Sequence, residues 1–411
     1  MKKEFPQKGL DLERIKKSLE VGNNYISEDA VFLGYPQSTP HPLGVEILAK
    51  YIQYNENHVG TFTNKNMQLN MTRQLEKELI EMMGQLYGDE DVDGYVTSGG
   101  TEGNIMGIWI ARNFFEDNVC LIKTDLTHQS VDKACNLMKI SEIINIPYTE
   151  KFQMNINSLK ENILKKFSIG IQKFIIVCTV GYTMTGTIDN VEEINYLLQE
   201  LEKQYNIKFY IHVDAAIGGL VFPFISDSEF AFKYKYVYSI SVDPHKMGYI
   251  PFASGIFMCR KGMQKHIEVP IKYAKTVMDK TLISSRSAAS AVACWGVFNF
   301  LGKNGFKKIL QDLIRLKEYL IQKLEEKQLA MVISDPGTNM VCIHFINTNN
   351  GLLPEQIEKK YVLDGFYIKY QEEEIVQFSF ITARDWNSAY KIVKGMQKNI
   401  KGLYLEFCMV L

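Results

Sequence analysis

Apolar runs with strand character alternate with amphipathic helical segments through the middle of the chain. The strand-like runs cover residues 119–123, 173–180, 208–213 and 236–242. The segments with helical periodicity cover residues 101–115, 128–140 and 191–205. Continuously apolar strands separated by amphipathic helices are typical of a parallel sheet that is covered on both faces, and such sheets bind ligands at the carboxyl ends of their strands. The pattern therefore predicts an α/β fold built on a mainly parallel sheet.

The pattern changes after about residue 303. A long helical segment is followed by strand-like segments and a last helix, at 305–327, 340–345, 366–370, 375–381 and up to about residue 400. Strands and helices without regular β–α–β order predict a smaller α+β domain. We therefore predict an N-terminal arm over residues 1–60, a large domain over 61–303 and a small C-terminal domain over 304–411.

Composition and charge narrow the possible functions. The 411 residues are 46% hydrophobic and 23% charged, with a formal net charge of -1. A nearly neutral chain offers no broad electrostatic attraction for nucleic acid or anionic membranes. No apolar run reaches the roughly 20 residues that span a bilayer, and the N-terminus lacks the apolar core of a secretory signal. We therefore expect a cytoplasmic protein without a nucleic-acid or membrane partner.

Cysteine and histidine spacing gives no indication of a metal site. The seven cysteines are scattered and form no C-x-x-C pair, and the seven histidines show no paired ligand spacing. We expect buried, reduced thiols and no bound metal.

The strongest local signal is the segment 243–248 (Asp-Pro-His-Lys-Met-Gly), directly after a predicted strand. A lysine after a strand is often a solvated surface residue. Here Pro244 and Gly248 flank the lysine, and an apolar run follows at 253–259. These features predict that Lys246 lies at a strand end inside a packed sheet. An amine held in such a place is partly desolvated and can act as a Schiff-base nucleophile.

A second signal is the run 209–216 (Phe-Tyr-Ile-His-Val-Asp-Ala-Ala). Asp214 ends a buried strand and must therefore be paired, for which a structural ion pair or a helix cap is one explanation. The functional interpretation is a carboxylate bonded to a protonated pyridine nitrogen, which makes the ring an electron sink. The small side chain of Ala216 would let a flat ring approach closely.

A third signal is the loop 94–104 (Gly-Tyr-Val-Thr-Ser-Gly-Gly-Thr-Glu-Gly-Asn), which precedes a helical run. It is neither a Walker A loop nor a dinucleotide fingerprint. Glycines and a hydroxyl residue at a helix start favour a phosphate, because exposed N–H groups and the helix dipole attract an anion. A plain turn with an N-cap is the alternative explanation.

A phosphate cradle, an acid for a ring nitrogen and a Schiff-base lysine, in this chain order, fit pyridoxal 5'-phosphate. With these motifs the sequence resembles the group II pyridoxal-phosphate-dependent amino acid decarboxylases, most closely their bacterial histidine and archaeal tyrosine/aspartate branches. The resemblance covers about residues 33–301. It implies the fold-type I fold, a carboxy-lyase that converts an L-amino acid to its amine and carbon dioxide, and a homodimer with shared active sites. Histidine or an aromatic amino acid is the substrate that the resemblance favours.

The resemblance also assigns roles to individual residues. Lys246 would bind the cofactor covalently, and His245 would help to hold its phosphate. Asp214 would bind the ring nitrogen. His128 would stack on one face of the ring and Ala216 would lie on the other face.

The remaining roles concern the cofactor's edges. Ser98, Gly100 and Thr101 would form the phosphate loop, and Thr179 would lie near the ring hydroxyl. Ser285 belongs to a segment through which the neighbouring subunit reaches the phosphate in this family, which implies an obligate dimer.

Tyr273 resembles the mobile-loop residue that returns a proton to the substrate carbon, although a tyrosine between lysines is also typical of a surface loop. Two positions depart from the family pattern. Tyr182 replaces the first threonine of a Gly-Thr-Thr turn and would put a bulky ring near the cofactor edge. Thr61 stands where the family has an acid near the substrate. His58 and Tyr35 lie in segments that resemble substrate-facing parts of the histidine enzyme.

Two other functions remain open at this stage. A carbon–carbon lyase of the sphingosine phosphate lyase type shares this kind of lysine site. A non-catalytic protein that retains the fold is the second alternative.

Overall fold

The computed structural model describes most of the chain up to residue 345 and two strands beyond it. The described residues are 11–20, 40–61, 70–89, 91–116, 118–226, 230–272, 277–326, 330–345, 367–370 and 373–379.

The helices occur at intervals throughout the described residues. In chain order they are α1 Leu12–Glu20, α2 Pro42–Ile52, α3 Met71–Leu86, α4 Gly100–Phe115, α5 Ser130–Met138, α6 Ile156–Ser168, α7 Val191–Tyr205, α8 Phe222–Ile225, α9 Pro244–Met247 and α10 Ala288–Glu326. The backbone of α10 leaves helical geometry at Gly302, next to the boundary predicted at residue 303.

The strands follow the same numbering. They are β1 Asn57–Val59, β2 Val92–Thr97, β3 Val119–Thr124, β4 Glu142–Ile146, β5 Lys173–Thr179, β6 Lys208–Asp214, β7 Val237–Val242, β8 Gly255–Arg260, β9 Val269–Pro270, β10 Met278–Asp279, β11 Ser285–Ser287, β12 Ala330–Ile333, β13 Met340–Phe345, β14 Tyr367–Tyr370 and β15 Glu373–Ser379.

A seven-stranded sheet of the order β2-β8-β7-β6-β5-β3-β4 organises the first part of the described chain. The pairs β3–β4, β3–β5, β5–β6 and β6–β7 are parallel, whereas β8 is antiparallel to both of its neighbours. The predicted α/β class with a mainly parallel sheet is therefore confirmed. Strands β2 and β4 were not predicted, because glycine and polar residues interrupt the apolar runs from which the other strands were recognised.

Both faces of this sheet are buried, as the alternation along β5 shows. Phe174 and Ile176 belong to one apolar cluster, and Ile175 and Val177 belong to another on the opposite face. Helices α4 and α5 contribute to the second cluster, whereas α3, α6, α7 and α10 contribute to the first. Side chains of a strand alternate between faces, so apolar residues in succession indicate a sheet that is covered twice.

A second, antiparallel sheet of the order β12-β13-β15-β14 lies in the predicted C-terminal domain. Thr338, just before β13, connects it to the part of the chain that contains the seven-stranded sheet. The Thr338 hydroxyl donates a hydrogen bond of 2.8 Å to the carbonyl of Gly186. The buried Lys317 amine donates to the Thr338 carbonyl at 2.6 Å. The three domain boundaries remain predictions, and the last predicted helix lies outside the described residues.

Six cysteines fall in the described residues, and all six are buried and free of disulfides. Within the same residues, no three His, Cys, Asp or Glu side chains are grouped as metal ligands would be. None of the described helices is long and apolar enough to cross a membrane.

A buried ionic cluster ties the N-terminal strand β1 to β11 and α3. Glu76 of α3 accepts a hydrogen bond of 2.9 Å from the Val96 amide, and its oxygen Oε1 lies 3.1 Å from Arg286 Nη2. His58 Nδ1 lies 2.8 Å from Glu76 Oε2, and His58 Nε2 lies 2.8 Å from the hydroxyl of Thr72. Both ring nitrogens of His58 are engaged and the residue is 1% exposed, so the ring has no nitrogen left for a substrate, although its segment resembles a substrate-facing part of the histidine enzyme.

The charge of Glu76 is stabilised by these partners. Burial on its own raises the pKa of Glu76, but Arg286, His58 and the Val96 amide outweigh burial and lower the pKa to about 2. A carboxyl whose pKa is lowered in the folded state contributes stability above its ordinary pKa and loses it as the pH falls. Glu76 therefore stabilises the fold above about pH 4.5, and this contribution disappears towards pH 2.

We expect Glu76→Gln to lower the free energy of unfolding by about 3–5 kcal/mol at pH 7, because it leaves Arg286 buried without its countercharge. The difference from the wild type should shrink as the pH falls from 4.5 towards 2, where Glu76 itself becomes protonated. Urea unfolding curves at a series of pH values measure both effects.

Glu81→Gln on the same helix is the matched control, since Glu81 forms only a partly exposed ion pair with Lys77 at 2.8 Å. It should change the free energy of unfolding by at most about 1 kcal/mol. Equal losses in the two variants, or a loss in Glu76→Gln that does not depend on pH, would contradict the stabilising role of the buried charge.

Candidate active site

A cavity of about 350 Å³ opens at the carboxyl edge of the seven-stranded sheet, where β2, β5, β6 and β7 end. Nine of the ten residues predicted to bind the cofactor line it, namely Ser98, Gly100, Thr101, His128, Thr179, Asp214, Ala216, His245 and Lys246. The remaining lining residues are Gly99, Glu102, Asn104, Leu126, Gly181, Tyr182, Thr183, Ile217, Asp243 and Phe252.

The loop between β2 and α4 presents a helix start to this cavity. Gly99 turns the chain with a φ of 148°, which only glycine adopts readily. Among the described side chains, none caps the N-terminus of α4 by a hydrogen bond. The first N–H groups of a helix without such a cap are suited to bind an anion.

Glu102 holds this loop in place through three hydrogen bonds to its carboxylate. Its carboxylate accepts hydrogen bonds of 2.8 Å from both the amide and the hydroxyl of Ser98, and one of 2.7 Å from the hydroxyl of Tyr95. The proton of the Ser98 hydroxyl is therefore engaged by Glu102. An anion in the loop would be held by the backbone amides of the helix start and by Thr101 rather than by the Ser98 hydroxyl.

Lys246 lies on the short helix α9, directly after β7. Its amine is 3.0 Å from Asp243 Oδ2, and Asp243 is 3% exposed. His245 Nδ1 lies 2.5 Å from the carbonyl oxygen of Ser254, and because a carbonyl oxygen only accepts, the ring nitrogen donates this hydrogen bond. Burial lowers the pKa of His245, and the nearby Asp243 carboxylate only partly opposes this effect.

Asp214 and His128 approach the cavity from different elements. One oxygen of Asp214 accepts the Ala216 amide at 3.1 Å, and the other accepts the side-chain amide of Asn104 at 2.7 Å. His128 Nδ1 lies 2.8 Å from the hydroxyl of Ser130. Burial lowers the pKa of His128, whereas Asp214 raises it to a smaller extent.

Tyr182 reaches a buried acid beneath Thr179. Its hydroxyl donates to Asp189 Oδ2 at 2.6 Å and accepts a hydrogen bond from Thr124 at 2.9 Å. Asp189 also accepts the amides of Thr179 at 2.8 Å and Met154 at 2.7 Å. Burial raises the pKa of Asp189 to about 6, although these donors favour its ionised form. The ring that replaces the family threonine thus fixes the carboxyl end of β5.

The groups in the cavity fit pyridoxal phosphate. Thr179 Oγ1 and Asp243 Oδ1 are buried and form no hydrogen bond with any other described residue, so the site contains polar atoms that a ligand would satisfy. The Lys246 amine, the Asp214 carboxylate and the N-terminus of α4 supply, respectively, a group for covalent attachment, an acceptor for a ring N–H and a site for a phosphate.

One residue that was predicted to bind the cofactor, Ser285, lies outside the cavity. Ser285 is exposed on β11, where it pairs with Val59 of β1, and it is not part of the cavity lining. Its predicted role in the site of a neighbouring subunit remains a prediction. Tyr273 and Tyr35 lie outside the described residues, so the proposed proton donor is not described.

Sequence reasoning missed three residues that contact the predicted ones. Asn104 and Asp243 both belong to the motifs that were recognised, yet neither received a role. Ser130 lies two residues after His128 at the start of α5, and a polar residue at a helix start has an ordinary capping explanation. Only the tertiary contacts distinguish these side chains from their neighbours.

Comparison with known proteins identifies relatives along nearly the whole chain. The family model described as the pyridoxal-dependent decarboxylase conserved domain matches residues 66–346. A probable L-tyrosine/L-aspartate decarboxylase of Methanococcus aeolicus is 31% identical over 374 residues, which cover 87% of this chain and 90% of the relative. A tryptophan decarboxylase of Clostridium sporogenes is 31% identical over 389 residues and covers 88% and 89% of the two chains.

The fold is also shared with solved structures. A crystal structure of L-methionine decarboxylase from Streptomyces sp. 590 matches with a TM-score of 0.81 over 96% of each chain, at 17% sequence identity. At that identity the likeness concerns the fold alone, and it confirms the predicted fold-type I architecture.

We expect Tyr182→Phe to lower the free energy of unfolding by about 1–3 kcal/mol, because it removes a hydrogen bond to a buried acid. The loss should be larger at pH 8 than at pH 5. Asp189 is mainly ionised above about pH 6, and only the ionised carboxylate depends strongly on its donors. Thermal and urea unfolding at the two pH values measure the effect.

Tyr196→Phe is the control, since the exposed Tyr196 hydroxyl donates only to Glu192 at 3.3 Å. It should leave the free energy of unfolding within about 0.5 kcal/mol of the wild type at both pH values. If Tyr182→Phe behaved in the same way, the contact between Tyr182 and Asp189 would not stabilise this strand end.

Proposed function

Because the chain belongs to the family of pyridoxal-dependent decarboxylases and is therefore a carboxy-lyase that acts on an amino acid with pyridoxal phosphate, we propose that its substrate is an aromatic L-amino acid. The relatives that are 31% identical are named decarboxylases. They therefore also favour decarboxylation over the carbon–carbon lyase and the non-catalytic protein considered above. The apolar lining of the cavity is the observation that carries the choice of substrate.

Four apolar or aromatic residues belong to the lining of the cavity, namely Leu126, Tyr182, Ile217 and Phe252. Phe252 is 69% exposed, so its ring is available to a substrate side chain. A side chain such as that of tyrosine or tryptophan gains free energy by leaving water for such a lining.

An acidic substrate is less compatible with the described lining. Among those residues, Lys246 is the only lysine or arginine, and we assign its amine to the cofactor. Burial lowers the pKa of both lining histidines, His128 and His245, so neither favours a positive charge. A second carboxylate would therefore be desolvated without a countercharge, which is costly. Histidine as a substrate loses one of its supports, because His58 is buried in the Glu76 cluster.

The names of the relatives agree with an aromatic substrate only in part, since an L-aspartate/L-glutamate decarboxylase of Pyrococcus horikoshii is also 31% identical over 354 residues. One is named a tryptophan decarboxylase and another a probable L-tyrosine/L-aspartate decarboxylase, so an aromatic amino acid occurs in both names.

The roles of the residues follow from their positions. When bound, pyridoxal phosphate supplies an electron sink for the electron pair that remains on the α-carbon after carbon dioxide leaves. Asp214, which two donors hold in place, would keep the ring nitrogen protonated. Lys246 would bind the cofactor covalently, and the start of α4 with His245 would hold its phosphate. Tyr273 would return the proton to the α-carbon.

We further propose that the active enzyme is a homodimer. Ser285 is exposed on β11 and lies outside the cavity of its own chain, which is compatible with a contact to the site of a second copy. No membrane or nucleic-acid partner is proposed, and a cytoplasmic location remains an expectation.

We expect purified holoenzyme to release carbon dioxide from L-tyrosine or L-tryptophan with a kcat/KM at least about tenfold higher than from L-aspartate, L-glutamate or L-histidine, since the lining offers apolar contacts and no free countercharge. Measuring carbon dioxide and amine for each of the twenty amino acids tests this expectation.

Lys246→Ala should abolish the release of carbon dioxide, whereas Lys203→Ala on the exposed face of α7 should retain it. A preference for L-aspartate would refute the aromatic assignment. Holoenzyme that released carbon dioxide from none of the amino acids would refute the proposed function as a whole.

A further inference from the structure

Asn104 of α4 lies between the residues assigned to the ring nitrogen and to the ring face of the cofactor. It is 1% exposed, and its side-chain nitrogen lies 2.7 Å from Asp214 Oδ2 and 2.8 Å from the hydroxyl of Ser130. A carboxylate can only accept hydrogen bonds, so the amide nitrogen and not the amide oxygen must face Asp214. The orientation of the Asn104 side chain is therefore determined by chemistry.

The oxygen of the same amide is anchored from within the core. Asn104 Oδ1 lies 2.9 Å from His212 Nε2, and since this oxygen only accepts, His212 must carry its proton on Nε2. His212 Nδ1 then accepts from the hydroxyl of Ser239 at 2.8 Å, and that hydroxyl accepts from Tyr210 at 2.9 Å. Burial lowers the pKa of His212 to about 4, so this ring is neutral at neutral pH.

The same reasoning extends to His128. The Ser130 hydroxyl accepts from Asn104, which leaves its own proton free to donate to His128 Nδ1 at 2.8 Å. The backbone amide of Ser130, which can only donate, also lies 3.3 Å from His128 Nδ1. Two donors directed at one ring nitrogen require that it carries no proton. In neutral His128 the proton is therefore on Nε2.

We propose that Asn104 is a positioning residue that orients the Asp214 carboxylate and, through Ser130, holds His128 in the tautomer protonated on Nε2. The Asn104 amide would thus orient Asp214, which accepts from the ring nitrogen of the cofactor. Through Ser130 it would also fix Nε2–H as the donor of His128, the residue assigned to the ring face. The tautomer follows from hydrogen bonds between described residues, and only the catalytic meaning of His128 and Asp214 rests on the proposed function.

The arrangement gives His128 a defined chemistry. A histidine with Nδ1 occupied offers one donor, Nε2–H, to whatever occupies the cavity that His128 lines. If the tautomers exchanged freely, Nε2 would act as a donor in some molecules and as an acceptor in others. Fixing the tautomer from the far side of the ring is the kind of support that orients metal ligands and catalytic histidines elsewhere.

The test compares Asn104→Ser with Ser130→Ala in the full-length holoenzyme. In protein labelled with ¹⁵N-histidine, long-range ¹⁵N–¹H spectra distinguish a protonated ring nitrogen from an unprotonated one, and His128→Gln identifies the His128 signals. We expect wild-type His128 to show an unprotonated Nδ1 and a protonated Nε2. Both variants should shift these signals towards a mixture of tautomers, because each interrupts the path from Asn104 to His128.

Cofactor affinity distinguishes the contact of Asn104 with Asp214 from its contact with Ser130. Asn104→Ser should raise the Kd for pyridoxal phosphate by about tenfold or more, since it removes a charge-assisted hydrogen bond to Asp214. Ser130→Ala should leave this Kd within about twofold of the wild type. A variant that combines Asn104→Ser with Ser130→Ala should show the same His128 signals as Ser130→Ala alone, because both substitutions interrupt the same path.

Asn299→Ser is the matched control, because Asn299 on α10 donates only to a carbonyl one turn earlier, that of Trp295, at 2.8 Å. If Asn104→Ser matched this control in the His128 signals and in cofactor affinity, Asn104 would be a structural residue and the proposal would be overturned. Should Asn104→Ser not fold, unchanged His128 signals in Ser130→Ala would overturn it equally.

The failure of the proposed function would look different. An enzyme that released no carbon dioxide but showed the expected tautomer in the wild type and the expected shifts in both variants would retain the network and lose only the assigned reaction.

Discussion

The close approach of α4 to the seven-stranded sheet is the contact on which the site depends. Three glycines face the sheet at helical spacing, and a Cβ on each would collide with a side chain below it. The shortest distances would be 2.9 Å from Gly100 to Asp243, 2.1 Å from Gly103 to Ser241 and 2.2 Å from Gly107 to His212. Any larger side chain would lift the helix from the strands. Asn104 would then no longer reach Asp214, and the anion-binding start of α4 would move away from the lysine site.

The strands beneath α4 supply a matching row of polar groups. Tyr210, His212 and Asp214 are every second residue of β6, so they share one face of the sheet. The residues between them, Ile211 and Val213, belong to the apolar cluster on the other face. A register shift of one residue would bury the polar row among apolar side chains. The core therefore fixes the direction in which Asp214 points, and the hydrogen bonds that start at Tyr210 lead through His212, Asn104 and Ser130 to Nδ1 of His128 at the cavity.

Much of this architecture could be predicted from the sequence. The central strands and helices were located to within a few residues, because long apolar runs and helical periodicity depend on burial that any α/β sheet imposes. Nine of the residues that line the cavity were recognised because short motifs surround them, as for Lys246 and Asp214. Hydrophobic periodicity does not indicate which group a polar side chain will contact in the folded protein. The resemblance of the His58 segment to a substrate-facing part of the histidine enzyme therefore did not reveal its contact with Glu76, and Asn104 received no role although its motif was recognised.

The machinery around the cofactor cannot by itself decide which amino acid is used. Relatives that match nearly the whole chain are named for tryptophan and for tyrosine and aspartate, and the shared fold extends to a methionine enzyme. Under the proposed function, substrate selection would reside in the apolar residues of the cavity lining. Tyr182 is one of them, and its ring lines the cavity while its hydroxyl is held by Asp189 and Thr124. Because the hydroxyl at the far end of the ring is held by two hydrogen bonds, the ring is fixed in place, and under the proposed function this departure from the family turn would act as a rigid apolar part of the cavity lining.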